Sequence, residues 1–379
     1  MNLLKLASHI EQFVAASDDM SLRIEGQHCV HYWNKDSACQ LCVRICPTQA
    51  LTLTAGEITL DESACAQCGA CLPVCPTGAL VGFDDRARLL QSLSEFPSAS
   101  AVDLACGAPP VAFSDSTGDV TLQIRGCLAG LGPAAYAGLV ALGVERIGVH
   151  LEGCAACPIG QLCSRVTAII DAVHALIDLD IVVMFDQDGE RAPKPLHSTH
   201  AARYSRRALL RRFAGGGATA SSLATELNPL PVDDRSPPLE RRALLRALEH
   251  IRPEQRISAR FFPAMTASAA CTACRVCARV CPTQALSFEG AEGCFSLAFT
   301  PTSCTECKLC QELCAVDALH FVESLAYDDA ERFVLLQGAL KSCKRCHTDF
   351  SGEGELCPIC AYRRRHPSAS VLRLPDNAT

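Results

Sequence analysis

The spacing of the cysteines constrains this chain more than any other feature. Its 379 residues include 26 cysteines, and most stand in C-x2-C or C-x3-C groups, a spacing that metal sites need and disulfides do not. Thiolates three residues apart on a turning backbone converge on one soft metal. Because the chain is also too long for a small disulfide scaffold, we expect a reduced, cytoplasmic, metal-rich protein.

Composition sets the outer limits of the fold. Hydrophobic residues make up 49% of the chain and charged residues 20%, so sizeable cores can form and wholesale disorder is excluded. A length of this size predicts two to four domains at ~150 residues each. No apolar run reaches the ~20 residues that a membrane helix needs. Residues 1–17 read as an amphipathic helix rather than a signal peptide.

A repeated phrase organises the cysteine groups. Cys-Pro-Thr-x-Ala-Leu occurs at 46–51, 75–80 and 281–286, and a degenerate copy, Cys-Ala-Val-Asp-Ala-Leu, occurs at 314–319. Each copy ends a cysteine group and leads into a short apolar stretch. The repeat therefore indicates one duplicated unit, a cysteine motif followed by a strand, that is used twice.

The C-terminal pair of motifs is complete and resembles the bacterial two-cluster ferredoxins over 267–322. In that family the fourth cysteine of each run ligates the other cluster. The resemblance implies two [4Fe–4S] centres, one on Cys271, Cys274, Cys277 and Cys314, the other on Cys304, Cys307, Cys310 and Cys281. Two zinc sites or eight structural thiols are the alternatives. Cys294, between the runs, is expected to be a buried small hydrophobe on a hairpin strand.

The N-terminal pair lacks one cysteine. The same crossing pattern assigns one full [4Fe–4S] site to Cys65, Cys68, Cys71 and Cys46. It leaves Cys39, Cys42 and Cys75 one ligand short, because Asp36 stands where the first cysteine of the upstream run should be. Cys29 lies ten residues before Cys39.

Three completions of this short site are open. We favour Cys29, because a thiolate suits iron better than a carboxylate does. Asp36 and a three-iron cluster are the alternatives. The neighbouring His28 and His31 are expected to be loop residues or supports for the ligands rather than ligands.

The middle of the chain follows a different pattern. Short apolar strands are predicted at 101–104, 120–124, 147–151 and 181–185, with helices at 133–142 and 163–179, which favours a small parallel α/β layer. Cys106, Cys127 and Cys154 fall at or just past predicted strand ends, and Cys157 follows in the next loop. Since the carboxyl ends of parallel strands share one edge, these four thiols are expected to be neighbours. Cys163 is a weaker candidate.

Residues 125–128 and 153–157 resemble the delta subunit of methyl-viologen-reducing hydrogenase. That resemblance implies a [2Fe–2S] cluster on an α/β domain that passes electrons to heterodisulfide reductase. The family's histidine after the last cysteine is missing, since Pro158 follows Cys157. Buried thiols in a βαβ core are the alternative. The glycines at 126, 130 and 132 do not have dinucleotide-binding spacing.

Two basic segments complete the chain. Residues 189–260 carry 14 arginines and lysines against 7 acidic residues, and 205–210 within them read as an amphipathic helix rather than an export signal. This basic segment is expected to pack against acidic surfaces or a partner protein, and it is not expected to bind nucleic acid. At the end, Cys343, Cys346, Cys357 and Cys360 have zinc-ribbon spacing, with a mononuclear iron site as the alternative.

The sequence therefore predicts an α+β multidomain chain with two ferredoxin-like dicluster modules, an α/β parallel-sheet domain between them and a zinc ribbon. The expected boundaries are an N-terminal helix at 1–25, modules at 26–85 and 263–325, the α/β domain at 98–187, a basic linker at 188–262 and the ribbon at 326–379.

The motifs carry no general-base pair, nucleophile triad or phosphate loop, which favours an electron-transfer protein. We expect four [4Fe–4S] clusters, a [2Fe–2S] or further cluster in the middle domain, Zn²⁺ in the ribbon, and a redox protein or larger oxidoreductase as partner, with no membrane span. An oxidoreductase with substrate or disulfide chemistry at the middle cysteines, and a redox sensor or scaffold, are the rival interpretations.

Overall fold

The chain divides into two compact units, Met1–Phe261 with Thr305–Cys307, and Phe262–Cys304 with Lys308–Thr379. The computed structural model describes residues 21–107, 118–177, 182–185, 196–199, 223–228, 235–251, 261–291, 293–322 and 332–366. The helices predicted at 1–17 and 205–210 lie outside these residues. Within the described ranges no helix is long and apolar enough to cross a membrane.

The first unit begins with a small module built on two antiparallel strand pairs. Its strands are β1 (Arg23–Ile24), β2 (Leu51–Thr54), β3 (Glu57–Leu60) and β4 (Leu80–Val81), and its helices are α1 (Val30–Trp33) and α2 (Leu41–Ile45). β1 pairs with β4 and β2 with β3. β1 lies inside the range that the sequence analysis gave to the N-terminal helix. The core is small and contains Leu51 and Leu80 next to Cys71.

A five-stranded parallel sheet follows in the same unit. Its strands are β5 (Ala101–Ala105), β6 (Val120–Gln123), β7 (Arg146–His150), β8 (Val182–Phe185) and β9 (Leu196–Ser198). Their order is β8-β7-β5-β6-β9, and every neighbouring pair is parallel. The predicted parallel layer is confirmed. β9 adds an edge strand in the segment that we interpreted as linker, where three residues are too few to give a strand pattern.

The described residues of this unit also form four longer helices, α3 (Asp85–Leu93), α4 (Pro133–Ala141), α5 (Cys163–Leu176) and α6 (Leu239–His250). α4 contacts the other three and is buried over most of its length, so it forms the centre of this core. α6 buries Ala243, Leu244, Ala247 and Leu248, and its Glu240 carboxylate accepts a hydrogen bond of 2.8 Å from the Ala134 N–H at the start of α4. Part of the basic segment is therefore a packed helix.

The second unit repeats the small module with a larger sheet. β10 (Ala264–Ala267) pairs with β13 (Leu319–Val322), and β11 (Leu286–Ala291), β12 (Cys294–Phe299) and β14 (Phe333–Ala339) form a three-stranded antiparallel sheet. Two short helices, α7 (Val276–Val280) and α8 (Leu309–Glu312), follow the cysteine loops. Phe299, Leu297 and Met265 are fully buried in its core.

One expectation about this module is wrong. Cys294 lies on a hairpin strand as predicted, but its side chain is exposed. The residue opens β12 directly after the turn at Gly293, where the strand has not yet reached the core that Leu297 and Phe299 form.

The chain's last described segment is a compact knuckle pair. β15 (Lys341–Ser342) pairs with β16 (Asp349–Phe350), and α9 (Pro358–Arg365) follows. The buried residues of this segment are Cys343, Phe350, Cys357 and Cys360, with Leu356 packed against them.

Candidate metal centres

Left-handed backbone shapes each complete cysteine loop. In the three C-x2-C-x2-C runs, the second and fourth residues after the first cysteine have positive φ: Gln67 and Gly69, Ala273 and Arg275, Glu306 and Lys308. Such reversals are uncommon outside glycine, and here they curl the chain around its own thiols. In the incomplete run the matching residue, Gln40, has φ −137°. The run that starts at Asp36 therefore differs in backbone conformation as well as in its missing cysteine.

The repeated phrase shares a second reversal. The fourth residue of the phrase is left-handed in all four copies, with φ between 48° and 69° at Gln49, Gly78, Gln284 and Asp317. The reversal turns the next amide toward the cysteine, so the N–H groups of Ala79 and Ala318 donate to Cys75 Sγ and Cys314 Sγ at 3.2 Å. The conformation of the phrase therefore supplies a hydrogen bond to sulfur.

Threonine adds a second contact with sulfur in three copies. Thr48, Thr77 and Thr283 each place Oγ1 3.7 Å from the Sγ of the cysteine two residues earlier. A thiolate can only accept, so each hydroxyl donates once the cysteine is deprotonated. The fourth copy has Val316 at this position and no hydroxyl.

The first cavity, which we name the Cys29 cavity, is lined by Cys29, Cys39, Cys42 and Cys75. Asp36 is exposed and is not part of this lining. Burial, with the nearby Cys75 and Cys39 sulfurs, raises the pKa of Cys42 to about 12. The geometry thus brings the thiol of Cys29 to the three cysteines that lack a fourth.

The two histidines beside Cys29 have separate partners. His31 is buried, and its Nε2 donates to the Cys39 carbonyl oxygen at 2.8 Å. His28 Nδ1 lies 3.0 Å from the Glu25 carboxylate. His31 therefore fixes the loop that carries Cys39, in line with a supporting role.

An aromatic pair is exposed next to this cavity. α1 begins directly after Cys29 and carries Tyr32 and Trp33, which are 66% and 55% exposed. Their rings meet edge to face with centroids 5.7 Å apart. Trp33 is the only tryptophan in the sequence.

The second cavity, which we name the Cys68 cavity, is lined by Cys46, Cys65, Cys68 and Cys71. Asp85 of α3 and the Arg125–Gly126 loop after β6 also line it, so the parallel-sheet domain closes one side. Burial raises the pKa of Cys71 to about 12.

The second unit has a third cavity, the Cys271 cavity, lined by Cys271, Cys274, Cys277 and Cys314. Burial and the nearby Cys274 and Cys271 sulfurs raise the pKa of Cys277 to about 12. The remaining cysteines of this module include Cys281, Cys304 and Cys310, which are buried in one hydrophobic core. Cys307 lies in the left-handed loop that starts at Cys304.

These donor sets suit a bound cation. A buried thiol with a pKa near 12 is neutral at physiological pH and becomes a thiolate when a metal replaces its proton. Four cysteine sulfurs that line one cavity match the ligand set of an iron–sulfur cluster.

Comparison with known families agrees with this geometry. Residues 37–79 and 270–318 each match the family model described as the 4Fe-4S dicluster domain. Two segments of the chain are therefore similar to 4Fe-4S dicluster domains. We refer to the small module of the first unit as the first dicluster domain and to that of the second unit as the second. Cys29 precedes the matched range of the first dicluster domain. Among curated proteins, no relative matches the chain.

The middle cysteines meet beside the first dicluster domain. Cys106 directly follows β5, Cys127 follows β6, and Cys154 lies in a 3-10 helix, Glu152–Ala156, after β7. Burial raises the pKa of Cys127 to about 11, and the nearby Cys106, Cys68 and Cys157 sulfurs add to this shift. The strand-end prediction thus agrees with where these thiols lie.

A fifth thiol joins this group. Burial and the neighbouring Cys163 thiol, which is hydrogen-bonded to Cys154, raise the pKa of Cys154 to about 12. Cys163 is the first residue of α5. From the sequence alone Cys163 is a weaker candidate, because its place on a predicted helix does not show that the helix starts at this sheet edge.

The last cysteine group lies in the knuckle pair. The sulfurs of Cys343, Cys346, Cys357 and Cys360 all lie within 4.8 Å of one another. Burial acts to raise the pKa of Cys343, but the N–H groups of Cys357, Cys346 and Arg345 outweigh it and bring the pKa to about 6. The Cys357 N–H donates to Cys343 Sγ at 3.2 Å. Four sulfurs this close together can hold one tetrahedral metal ion.

Proposed function

We propose that this chain is an iron–sulfur electron-transfer protein that passes single electrons through several clusters as a subunit or partner of a larger oxidoreductase. The observation that carries the proposal is the pair of 4Fe-4S dicluster domains. Clusters of this kind exchange one electron at a time, while the protein sets each potential through charge, exposure and hydrogen bonds to sulfur.

Each dicluster domain is proposed to hold two [4Fe–4S] clusters. In the first domain the ligands are the cysteines of the Cys29 cavity and of the Cys68 cavity, which supports Cys29 as the missing ligand. In the second domain they are the four cysteines of the Cys271 cavity, and Cys281, Cys304, Cys307 and Cys310. The linings of the Cys29, Cys68 and Cys271 cavities support three of these four ligand sets.

The middle thiols are proposed to hold a further cluster, with [2Fe–2S] as the first choice. Cys106, Cys127, Cys154 and Cys157 are the proposed ligands, and Cys163 is close enough to replace one of them. Disulfide chemistry is the rival use of the Cys154–Cys163 pair. The raised pKa of Cys154 opposes it, because the thiolate is the form that attacks.

The knuckle pair is proposed to hold a structural Zn²⁺. All four cysteines would serve as zinc ligands and would leave no open coordination position, so the site would be redox-silent.

The test is anaerobic purification followed by iron, sulfide and redox analysis. We expect about sixteen iron atoms in the dicluster domains, additional iron in the middle domain, and reversible bleaching by a low-potential one-electron donor. Electron paramagnetic resonance (EPR) should show more than one reduced cluster. Clusters that cannot be reduced, or a disulfide substrate turned over at the middle thiols, would contradict the proposal.

A smaller prediction concerns Thr283, which is buried and contacts Cys281 Sγ. Thr283→Val is expected to lower the potential of the cluster that Cys281 ligates by about 20–40 mV, since a hydrogen bond of about 1 kcal/mol favours the more negative reduced state. Val316→Thr should raise the potential of the partner cluster in the same domain.

Redox titration followed by EPR measures both shifts. Thr266→Val, at an exposed position on β10, is the matched control and should change neither potential. Unchanged potentials in both variants with full iron content would show that these hydroxyls do not act on the clusters.

A further inference from the structure

The loop after β6 contacts the loop of the first dicluster domain that carries Cys68. The Cys127 N–H donates to the carbonyl oxygen of Cys68 at 3.2 Å. Cys68 is a proposed ligand of one cluster and Cys127 a proposed ligand of another. One hydrogen bond therefore links the backbones of two residues that would bind different clusters.

A buried carboxylate holds this contact in place. Asp85, the first residue of α3, accepts hydrogen bonds from the Arg125 and Gly126 N–H groups at 2.8 and 2.9 Å. Its side chain is shielded from water, so these bonds face little competition from solvent. Asp85 also lines the Cys68 cavity. It thereby fixes the β6 loop beside the sulfurs of that cavity.

Two glycines allow the close approach. A Cβ on Gly130 would lie 2.9 Å from the Cys68 carbonyl oxygen and 3.2 Å from the Gly69 carbonyl carbon. A Cβ on Gly126 would lie 3.1 Å from the same Cys68 oxygen. At Gly126 the atom nearest to such a Cβ would be Asp85 Oδ2, at 2.9 Å. The carbonyl groups of Cys68 and Gly69 belong to the backbone and cannot rotate away, so a larger residue at either position would push the two loops apart.

We propose that this contact is an electron-transfer junction between the cluster of the Cys68 cavity and the cluster of the middle thiols. With both clusters bound, one electron would pass from the reduced cluster on one side to the oxidised cluster on the other, and no bond would break and no proton would move. The Cys68 carbonyl and the Cys127 N–H supply the short route, since tunnelling is faster through bonds than through space. Asp85, Gly126 and Gly130 are positioning residues.

This inference rests on the proposed function, because both ends of the route are cluster ligands. It adds the order of electron transfer between clusters. Of the two clusters in the first dicluster domain, the one in the Cys68 cavity exchanges electrons with the middle domain. The Cys29 cavity has no residue of the β6 loop in its lining.

The test uses the full chain carrying Gly130→Ala. After flash reduction by photoexcited deazaflavin, rapid freezing and EPR follow how quickly electrons distribute between the two clusters. Cys154→Ala, which is expected to remove the middle cluster, identifies that signal. We expect Gly130→Ala to slow the exchange several-fold while iron content and potentials stay unchanged. Gly26→Ala is the matched control, because a Cβ there meets no atom within 4 Å.

A second variant keeps the test decisive. If Gly130→Ala loses iron, Asp85→Asn, which loses one of two acceptors but keeps its size, should slow the exchange in the same way. Wild-type exchange rates in a fully loaded variant would overturn the junction and leave the proposed function intact. A wild-type middle domain without iron would overturn both the junction and the proposed middle cluster, and iron analysis shows this before any kinetics.

Discussion

Cys29→Ala is expected to remove or convert one cluster, with a loss of about one to four iron atoms per chain. The thiol of Cys29 lines the same cavity as Cys39, Cys42 and Cys75, and alanine offers no donor to replace it. EPR of the reduced protein should lose one signal, or EPR of the oxidised protein should gain the signal of a three-iron cluster. The cluster of the Cys68 cavity should be unaffected, because its four cysteines remain.

Two controls make this result specific. Cys294→Ala removes an exposed thiol at the start of β12 and should leave iron content unchanged. Asp36→Ala removes the exposed carboxylate that competes with Cys29 for the ligand role, and it too should have no effect. If Asp36→Ala changes a cluster and Cys29→Ala does not, the carboxylate is the ligand. If neither changes the spectrum, the site holds three irons in the wild type.

Removing the proposed zinc ion is expected to unfold residues 341–366. The buried side chains of this segment are three of the four proposed zinc ligands and Phe350, so it has almost no apolar core to stabilise it. Structural zinc binding contributes about 10–16 kcal/mol in zinc-finger peptides, which is the scale of stability at stake. Hydrogen exchange before and after chelation should show a loss of protection confined to this segment, with the cluster absorbance retained.

Substitution gives an independent measure of the same effect. Cys357→Ala removes a buried donor and should abolish stoichiometric zinc and the protection together. Ile359→Ala, at a position that is 61% exposed in the same knuckle, should change neither. Protected amides in the zinc-free chain would mean that the segment folds without a metal, and iron in place of zinc would indicate the mononuclear iron alternative.

Local spacing predicted the dicluster domains well because a cluster site is built from residues close in the chain. The loop from Cys65 to Cys71 carries three of its thiols within seven residues, so their convergence depends mainly on backbone turns. The crossing to Cys46 came from the family resemblance, and the cavity lining agrees with it. In the middle domain, the strand ends alone were enough to place Cys106 and Cys127 at one edge.

Features that depend on packing between distant elements were beyond the sequence. The approach of Cys127 to Cys68 depends on how the sheet packs against the first dicluster domain. The presence of a glycine such as Gly130 in the sequence does not show which backbone segment lies against it. The packing of α6 was not predicted, because the helix lies in a basic segment. Only Glu240 and a narrow apolar stripe distinguish its buried face. Cys294 was misjudged because its place at the strand start, not its residue type, sets its exposure.

The position of Trp33 provides an optical reporter for the Cys29 cavity. The indole lies one helical turn beyond Cys29 along the chain and is the only tryptophan in the sequence. Iron–sulfur clusters absorb where indole emits, so filling of the Cys29 cavity should quench tryptophan fluorescence, and loss of that cluster should restore it. A cluster in the Cys68 cavity would also quench this indole, so the difference in fluorescence between the wild type and Cys29→Ala would report assembly at the Cys29 cavity in the unlabelled chain.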